Sequence, residues 1–299
     1  MNIKEFLVEN KIGDIKEHEE LKKHTTYKVG GQCDYFVQPA SVEKLVLLLK
    51  YIKENNINYK VLGNGSNVLI SSKRFKGIII SLNKLNQIKF DNDIVEVGAG
   101  VLLIKLSNAC ANENLGGLEF ASGIPGCVGG AIFMNAGAYG GEMKDIVTSV
   151  DLLKNGEEIT VSSGDMNFSY RHSIAMDEDM IVLRMRIKLV RKDKSEILSL
   201  MDDLNGRRRD KQPLEYPSAG STFKRPEGYF AGKLIMDSGL SGERVGGAMV
   251  STKHCGFIIN YDNATATEIY ELIKKVQSIV YEKQGVMLEP EVRLIGDFE

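Results

Sequence analysis

Residues 116–141 read GGLEFASGIPGCVGGAIFMNAGAYGG, and nine of these positions are glycine. Large apolar side chains interrupt the glycines, among them Phe120, Ile132 and Phe133. Glycine loses more conformational entropy on folding than any other residue, so a buried stretch of glycines needs a structural reason. Tight turns that leave backbone N–H groups facing a diphosphate would be such a reason, whereas an exposed glycine loop would rarely carry these apolar residues. We therefore predict a buried cradle for a cofactor.

The overall composition is that of a globular protein with more than one structural unit. The chain has 299 residues, which is long for a single minimal domain. Its formal net charge of −2 argues against a protein built to bind nucleic acid or an anionic membrane. Residues 1–20 are charged, and no apolar run approaches the roughly 20 residues of a membrane span, so we predict neither a signal peptide nor an anchor.

Cysteine and histidine are too dispersed along the chain to indicate a disulfide framework or a metal site. The four cysteines contain no C-x-x-C pair, and the four histidines do not cluster. The cysteines are Cys33, Cys110, Cys127 and Cys255. This pattern is typical of reduced, structural thiols in the cytosol, so we predict a cytoplasmic protein without a bound metal.

Apolar periodicity predicts an α+β chain with three lobes after a charged N-terminal arm. Ser41 is a good N-cap for a helix that follows a strand ending at Pro39, and a further strand is predicted at Tyr59–Leu62. Residues 180–190 alternate between apolar and basic side chains, which is the period of a strand with one face in water. The predicted limits are 1–24 for the arm, 25–84 and 85–195 for two lobes, and 196–299 for the third.

The last part of the chain contributes two helices and short strands. Residues 192–211 are predicted to form a charged helix with Ile197, Leu198, Met201 and Leu204 on one apolar face. Strands are predicted at 255–260 and 292–295, and a strong amphipathic helix stops at Gly285.

No Rossmann dinucleotide fingerprint is present. The pairs Gly63-x-Gly65 and Gly98-x-Gly100 each lack the third glycine, so a cradle here must follow another nucleotide-binding design. Three further strings carry candidate chemistry: residues 167–173 (NFSYRHS), 217–226 (PSAGSTFKRP) and 288–293 (LEPEVR). Each alone has an ordinary explanation as a surface arginine, a turn serine or a carboxylate on the wet face of a strand.

The combination is distinctive. The loop GNGSNVLI, the glycine-rich cradle and the three strings occur in this order, and together they resemble the family of UDP-N-acetylenolpyruvoylglucosamine reductases, also called UDP-N-acetylmuramate dehydrogenases, of bacterial cell-wall synthesis. The resemblance extends from about Thr25 to Gly296. The short passage from Val190 to Ser221 resembles the subtype that lacks an extra tyrosine-bearing loop.

The resemblance implies a fold and a reaction. Residues 25–195 would form a two-lobed FAD-binding domain of the vanillyl-alcohol oxidase type, and residues 196–299 would form a substrate-binding domain. FAD would be bound non-covalently, with NADPH as the co-substrate. The enzyme would reduce UDP-N-acetylenolpyruvoylglucosamine to UDP-N-acetylmuramate in peptidoglycan precursor synthesis, and nothing in the sequence demands more than a monomer.

The resemblance also assigns residues to roles. Arg171 would clamp the substrate carboxylate, Ser221 would protonate carbon, and Glu291 would act as a protonated hydrogen-bond donor or share a proton. FAD contacts are predicted for Gly63, Asn64, Gly65, Ser66, Asn67, Gly123, Gly126, Gly129, Gly130, Asn135 and Gly137. Substrate contacts are predicted for Tyr170, Lys211, Lys224, Arg225 and Arg293. Arg225 departs from the family, whose other members have Asn there, and His254 is predicted to be a packed or capping residue.

Two other functions stay open at this point. An FAD-linked sugar or hydroxy-acid oxidase would explain the cradle, but it leaves Arg171, Ser221 and Glu291 without a purpose. A nucleotide-sugar sensor without turnover would be favoured by an inert residue at position 221 or 291, and both residues are intact.

Overall fold

The computed structural model describes residues 2–298 of the chain. These residues form two compact units, each assembled from separate stretches. The first unit comprises the described part of Met1–Glu17, with Tyr35–Asn64 and Gly77–Arg207. The second unit comprises His18–Asp34, Gly65–Lys76 and the described part of Arg208–Glu299.

Helices and strands are mixed along the whole chain. The helices are α1 (Ile3–Glu9), α2 (Val42–Glu54), α3 (Leu103–Asn112), α4 (Val128–Phe133), α5 (Ile174–Asp177), α6 (Lys194–Lys211), α7 (Ala231–Asp237) and α8 (Ala266–Gln284). The strands are β1 (Gly13–Glu17), β2 (Cys33–Pro39), β3 (Tyr59–Leu62), β4 (Val68–Ile70), β5 (Phe75–Ser81), β6 (Ile88–Asp91), β7 (Ile94–Gly98), β8 (Leu115–Gly116), β9 (Gly137–Ala138), β10 (Gly141–Glu142), β11 (Val147–Lys154), β12 (Glu157–Ser162), β13 (Ile181–Lys188), β14 (Val190–Arg191), β15 (Arg244–Val245), β16 (Ala248–Val250), β17 (Ile258–Asn260) and β18 (Arg293–Ile295). The predicted α+β class is confirmed.

The smaller sheet of the first unit has the strand order β1-β2-β5-β3. β1 and β2 are antiparallel, with Ile15 opposite Val37, whereas β3 and β5 are parallel. Ser41 caps α2, as predicted, because its hydroxyl accepts a hydrogen bond from the backbone N–H of Lys44 at 3.4 Å. The apolar stripe of α2 buries Leu45, Leu48 and Ile52.

The larger sheet of the first unit is antiparallel, with the order β12-β11-β13-β7-β6. β13 has the predicted alternation, since Leu183, Met185 and Ile187 are buried while Arg184 and Arg186 reach the opposite face. The buried face packs against α4 and shares one apolar core with the smaller sheet. α4 is thereby fixed on the sheet.

Asp151 organises the polar face of the larger sheet and is only 2% exposed. Its Oδ1 and Oδ2 accept two parallel hydrogen bonds from Arg186, at 3.0 and 3.1 Å. Arg184 Nε lies 2.6 Å from Oδ2, and the Thr160 hydroxyl donates to Oδ1 at 2.7 Å. Burial opposes the charged carboxylate, but the hydrogen bonds and positive charges of the two arginines hold the pKa of Asp151 below its ordinary value.

The second unit has a three-stranded antiparallel sheet, β15-β16-β17, and a parallel pair formed by β18 and β4. α8 begins with a capping box between Thr265 and Glu268, and it ends at Gly285 in the left-handed conformation (φ 68°), as predicted. The buried stripe of α8 comprises Ala266, Ile269, Leu272, Ile273, Val276 and Val280. This stripe forms the centre of the second unit's core.

Two details predicted for the last third of the chain are wrong. The strand predicted at 255–260 begins only at Ile258, because the preceding residues form a turn in which the Phe257 N–H bonds to the His254 carbonyl at 2.9 Å. Leu198 is 37% exposed rather than buried, since it is rotated by about 100° from Ile197 around α6. The domain limits predicted at 24/25 and 195/196 stay predictions.

The thiols fit the predicted structural role. All four cysteines are buried and unpaired, and burial raises the pKa of Cys110 to about 12 and that of Cys33 to about 11. Within residues 2–298, no group of three or more His, Cys, Asp and Glu side chains is arranged to hold a metal ion. No helix in the same range has the length and apolar character needed to cross a membrane.

Replacement of Asp151 by Ala should lower the free energy of unfolding by about 1–3 kcal/mol, because Arg186 and Arg184 lose their shared acceptor. Urea denaturation measures this change. Glu158→Gln is the matched control, since Glu158 is an exposed partner of the same Arg184 and its loss should cost less than about 1 kcal/mol. Equal losses in the two variants would show that burial of Asp151 does not decide its contribution.

Candidate functional site

The glycine-rich cradle is fastened to the chain that precedes it in the first unit. The backbone N–H groups of Val128 and Gly129 donate to the carbonyls of Val101 and Ala99, each at 2.8 Å. The Leu103 N–H, at the start of α3, donates in turn to the Gly126 carbonyl at 3.0 Å. These bonds hold the beginning of α4 close to the β7–α3 turn. The amides of residues 128 and 129 are therefore committed to the protein and cannot face an anion.

Packing explains some of the predicted cradle glycines. A Cβ on Gly129 would come within 3.1 Å of the Ala99 Cβ, and a Cβ on Gly137 would lie 2.7 Å from both the Glu142 side chain and the Gly141 carbonyl. The contacts at Gly137 are shorter than real Cβ contacts, so this position needs glycine, whereas a Cβ on Gly129 would require Ala99 to move by a few tenths of an ångström. Both glycines therefore serve the packing of the fold itself.

Gly130 is different. It is exposed, lies inside α4, and a Cβ there would meet only the Cys127 sulfur at an ordinary 3.9 Å. A glycine inside a helix costs about 1 kcal/mol relative to alanine, yet the surrounding protein does not require one here. Close approach of a bound molecule would account for it. Gly123 and Gly126 are partly buried in the turns before α4.

The predicted loop 63–67 is divided between the two units. In the first unit, Asn64 Nδ2 donates to the Pro125 carbonyl at 2.6 Å, and a Cβ on Gly63 would lie 2.8 Å from the Cys127 sulfur. Gly63 and Asn64 thus lie directly beside the cradle. In the second unit, Gly65 has φ 63°, and a Cβ there would collide with the His24 carbonyl.

Asn135 closes the cradle and is completely buried. Its Nδ2 donates to Glu142 Oε2 and to the Ser169 carbonyl, both at 3.0 Å, and its Oδ1 accepts the Lys144 N–H at 3.0 Å. Because both amide protons are already used, the side chain has a structural function. Sequence reasoning predicted this residue as an FAD contact and did not anticipate its link to Ser169.

That link leads to Arg171. Ser169 and His172 exchange backbone hydrogen bonds at 3.2 Å, which makes residues 169–172 a tight turn. Arg171 occupies the left-handed region of this turn with φ 56°, a conformation that costs a residue with a side chain about 1–2 kcal/mol. Unfavourable backbone of this kind persists where the surroundings enforce it, often at functional sites. Here the turn holds Arg171 beside the end of the cradle, with Nη2 3.5 Å from the Gly137 carbonyl.

The surroundings of Arg171 are both aromatic and acidic. Its guanidinium lies 5.1 Å from the centre of the Tyr170 ring, which is half exposed. Hydrogen bonds from Lys144 and Asn135, with a contribution from the positive charge of Arg171, lower the pKa of Glu142 although burial opposes this shift. Glu142 is therefore a carboxylate at neutral pH. It was not predicted as a site residue, and its place in GAYGGE is the only signal in the sequence.

Thr222 is the corresponding anchor in the second unit. Its N–H donates to the Gly256 carbonyl at 2.8 Å, and its hydroxyl accepts the Ile258 N–H at 3.0 Å. Its own carbonyl accepts the Glu291 N–H at 2.8 Å. This antiparallel pairing places Ser221 one residue out of register with Glu291 on the adjacent segment. Two of the three predicted catalytic residues thus lie on adjacent, paired backbone segments. Ser221 is exposed, while Glu291 is partly buried.

Asn67 secures the other side of the Glu291 segment. Its Nδ2 donates to the Glu291 carbonyl at 3.1 Å, and its carbonyl accepts the Arg293 N–H at 3.0 Å. These bonds begin the parallel pairing of β4 with β18. The sequence placed Asn67 among the FAD contacts, but its hydrogen bonds in the second unit hold the strand that carries Glu291 and Arg293. The predicted contact of Asn67 and Ser66 with FAD stays a prediction.

The predicted substrate residues of the second unit are spread over its surface. Lys224 forms an ion pair with Glu289, and its N–H donates to the Glu289 carbonyl. Arg225 stacks on Phe230 with 4.0 Å between the guanidinium carbon and the ring centre, and its Nε donates to the Tyr229 carbonyl at 3.3 Å. Lys211 is exposed at the end of α6 and Arg293 is exposed on β18.

His254 supports the anchor at Thr222. Its Nδ1 accepts the Gly256 N–H at 3.1 Å, and the ring packs edge-on against Phe257. Burial lowers the pKa of His254, so the neutral ring that can accept this bond is favoured. The predicted packed or capping role agrees with these contacts. The sequence did not indicate that the capped turn is the one to which Thr222 bonds.

The chain is similar to known proteins over nearly its whole length. Family profiles match in two regions: an FAD binding domain over residues 33–163, and the C-terminal domain of UDP-N-acetylenolpyruvoylglucosamine reductase over residues 212–295. The reductase of Caldanaerobacter subterraneus subsp. tengcongensis is 47% identical, and the alignment covers 99% of this chain and 97% of the relative. That of Clostridium novyi is 48% identical, with 95% and 93% covered. This chain belongs to the UDP-N-acetylenolpyruvoylglucosamine reductase family.

The fold agrees with this membership. The crystal structure of the reductase from Thermus caldophilus superposes with a TM-score of 0.80 at 36% identity, over 95% of this chain and all of that one. Berberine bridge enzyme from Eschscholzia californica, at 18% identity and a TM-score of 0.50 over 64% of this chain and 44% of its own, shares the fold alone. The chain is therefore a flavin-dependent enzyme of the reductase family with the predicted FAD-binding fold.

Protonation of His254 should lower the free energy of unfolding of this protein in mild acid. Its pKa is lower in the folded chain than its ordinary value of 6.5, so the unfolded chain binds the proton more readily. The contribution of His254 is complete above about pH 6.5 and declines as the pH falls below that value. His254→Gln, which cannot be protonated, should show a shallower decline between pH 7 and 5 in urea unfolding.

The wild-type protein at each pH is the reference for this comparison, since other titrating groups are shared by both proteins. A difference in unfolding free energy that does not change between pH 7 and 5 would contradict the role of His254.

Proposed function

We propose that this chain reduces UDP-N-acetylenolpyruvoylglucosamine to UDP-N-acetylmuramate in peptidoglycan precursor synthesis, with non-covalent FAD as cofactor and NADPH as co-substrate. Family membership supports the reaction, and the matched FAD binding domain supports the cofactor. The structural observation that carries the assignment of roles is the Thr222 anchor, which sets Ser221 and Glu291 on adjacent backbone segments.

The cradle fits an FAD group that approaches the backbone closely. Gly130 supports this fit, because it is exposed and no protein atom crowds the space that its Cβ would occupy. Gly63, Asn64, Gly123 and Gly126 would complete the contact surface within the first unit. When bound, FAD would supply hydride transfer, first accepting a hydride from NADPH and then giving one to the enolpyruvyl group.

Arg171 would bind the carboxylate of the enolpyruvyl group. A guanidinium presents parallel N–H donors in a fixed plane that matches two carboxylate oxygens, and it stabilises negative charge that grows on them during reduction. Its Nη2 lies 3.5 Å from the Gly137 carbonyl oxygen, at the end of the cradle, where it would meet the carboxylate. Tyr170, half exposed beside Arg171, would contribute a further donor.

Ser221 would deliver the proton that completes the reduction at carbon. A serine hydroxyl is a weak acid, so this step requires a strongly basic carbon held at the correct position. The paired segment keeps the Ser221 backbone in place, and Glu291 on the neighbouring segment would act as a hydrogen-bond donor in its protonated form.

Several finer features belong to the same proposal. Lys211, Lys224, Arg225 and Arg293 would contact the sugar nucleotide, with Arg225 supplying a charge to its diphosphate. The passage of residues 190–221, which is mostly α6, supports the subtype without the extra tyrosine-bearing loop. We further propose that the enzyme works as a cytoplasmic monomer.

Gly130→Ala should weaken FAD binding about tenfold or more, because the added methyl group occupies the face on which the cofactor approaches. Titration of the apoprotein with FAD, followed by flavin fluorescence, measures the dissociation constant. Gly164→Ala is the control: Gly164 is also exposed in the first unit, and a Cβ there would meet only the Ser162 hydroxyl at 3.8 Å. Unchanged binding in the Gly130 variant would remove the cradle contact from the proposal.

Ser221→Ala should separate the two halves of the reaction. Reduction of bound FAD by NADPH should proceed at nearly the wild-type rate, because no proton is delivered to carbon in that step. Reoxidation by the enolpyruvyl sugar nucleotide should slow by roughly 10²–10⁴-fold, the range expected when a positioned general acid is lost. Anaerobic stopped-flow absorbance of the flavin measures both rates.

Ser221→Cys is the matched variant, since a thiol can donate a proton from nearly the same position and should restore part of the rate. If reoxidation of Ser221→Ala stays within a few-fold of wild type, another group is the proton donor. If wild-type reduced flavin is not reoxidised by this substrate at all, the proposed reaction itself is wrong.

A further inference from the structure

The ring of His172 lies between two hydrogen-bond acceptors in the first unit. Nε2 is 2.8 Å from Asp177 Oδ1, and Nδ1 is 3.2 Å from the Asn167 backbone carbonyl. An ionised carboxylate and a carbonyl can only accept, so each ring nitrogen satisfies its partner only when it carries a proton. Both contacts are hydrogen bonds at the same time only when each ring nitrogen carries a proton.

His172 connects three pieces of backbone that must keep a fixed relation. It is the last residue of the turn 169–172, in which Arg171 has its left-handed conformation. Asp177 lies at the end of α5, and Asn167 is itself left-handed, with φ 48°. Next to the ring, the buried Ser173 hydroxyl donates to the Phe133 carbonyl at 2.9 Å, which ties the start of α5 to the end of α4.

The Arg171 turn is thus held on both sides. Asn135 binds its first residue through the Ser169 carbonyl, and the side chain of His172 binds its last residue to Asn167 and α5. The left-handed backbone conformation of Arg171 is intrinsically unfavourable, because a residue with a Cβ is crowded in that region. The side-chain bonds of Asn135 and His172 add to the backbone hydrogen bonds between Ser169 and His172 in holding this conformation.

We infer that His172 is a positioning residue for Arg171: its ring, held between Asp177 and the Asn167 carbonyl, keeps the turn in the one conformation that directs the guanidinium to the substrate carboxylate. In this role His172 acts through Arg171 and not by direct contact with the reacting groups. The inference rests on the proposed function, because it assigns His172 to the half-reaction in which Arg171 binds substrate.

The test compares the two half-reactions in His172→Ala and Asp177→Asn. Reoxidation of the reduced flavin by the enolpyruvyl sugar nucleotide should slow about tenfold or more in His172→Ala, since displacement of a positioned group by about 1 Å can cost 10²-fold. Reduction of the flavin by NADPH should change by less than about twofold. Asp177→Asn keeps the shape of the acceptor, removes its charge and should give an intermediate loss.

A double-mutant comparison separates positioning from a general loss of structure. In an Arg171→Lys background, the guanidinium is already absent, so adding His172→Ala should slow reoxidation by less than about threefold. His172→Gln, which retains one donor, should recover part of the rate lost in His172→Ala. Glu178→Gln is the control, because Glu178 follows α5 directly and pairs with Lys154 instead of His172, and it should leave both half-reactions unchanged.

The outcomes distinguish the possible failures. Equal slowing of both half-reactions in His172→Ala, or the same loss in the Arg171→Lys background, would mean that His172 only stabilises the fold. Reoxidation at the wild-type rate in both His172→Ala and Asp177→Asn would overturn the inference while leaving the proposed function intact. A wild-type enzyme that is not reoxidised by the enolpyruvyl substrate would overturn the proposed function and the inference with it.

Discussion

The fully buried carboxamide of Asn135 is the interaction on which the candidate site of the first unit depends. A buried amide must have its donors and acceptor satisfied, because each group left without a partner costs about 1–3 kcal/mol. Asn135 meets this demand by bonding to three separate backbone or side-chain groups, and those bonds fix the end of the cradle, the β9–β10 hairpin and the turn that carries Arg171. Asn135 thus fixes the end of the glycine-rich cradle relative to the turn that carries Arg171.

In the second unit, a single buried residue also fixes several segments. Thr222 uses its N–H, its hydroxyl and its carbonyl to join three neighbouring segments. The backbone pairing at Thr222 and the bond from Asn67 to the Glu291 carbonyl together fix the segments that carry Ser221 and Glu291. In each unit, then, a buried polar residue without chemical reactivity holds the exposed residues that would react. Ser221 and Arg171 retain side chains that a ligand can reach, whereas Asn135 and Thr222 do not.

The glycines show how one residue type serves different purposes within a single stretch. Gly137 is required because neighbouring atoms would collide with any Cβ, and Gly129 allows close packing against Ala99. Gly130, one position from Gly129, has open space on its exposed side, so its cost inside α4 has no explanation within the protein. A glycine-rich sequence alone cannot make this distinction, since both kinds of position are written with the same letter. Only the folded chain shows which atoms a side chain at each of these positions would meet.

The amino-acid sequence by itself determined the α+β class, the period-two strand β13, the cap of α2 by Ser41 and the end of α8 at Gly285, because these depend on local periodicity and local backbone conformation. The order of its motifs also indicated the reductase family. Only the tertiary structure decided that Asn135 binds Ser169, that Thr222 pairs with Glu291 and that His172 faces two acceptors. The bonds of Asn135 to Ser169 and of Thr222 to Glu291 join residues 34 and 69 positions apart, and no local pattern encodes such long-range hydrogen bonds. The two partners of His172 are only five positions away, but the folded turn brings both of them to its ring. The strand predicted at 255–260 begins late for the same reason. The turn capped by His254 is held by the hydrogen bond between the Gly256 carbonyl and the distant Thr222 N–H, which the local sequence does not encode.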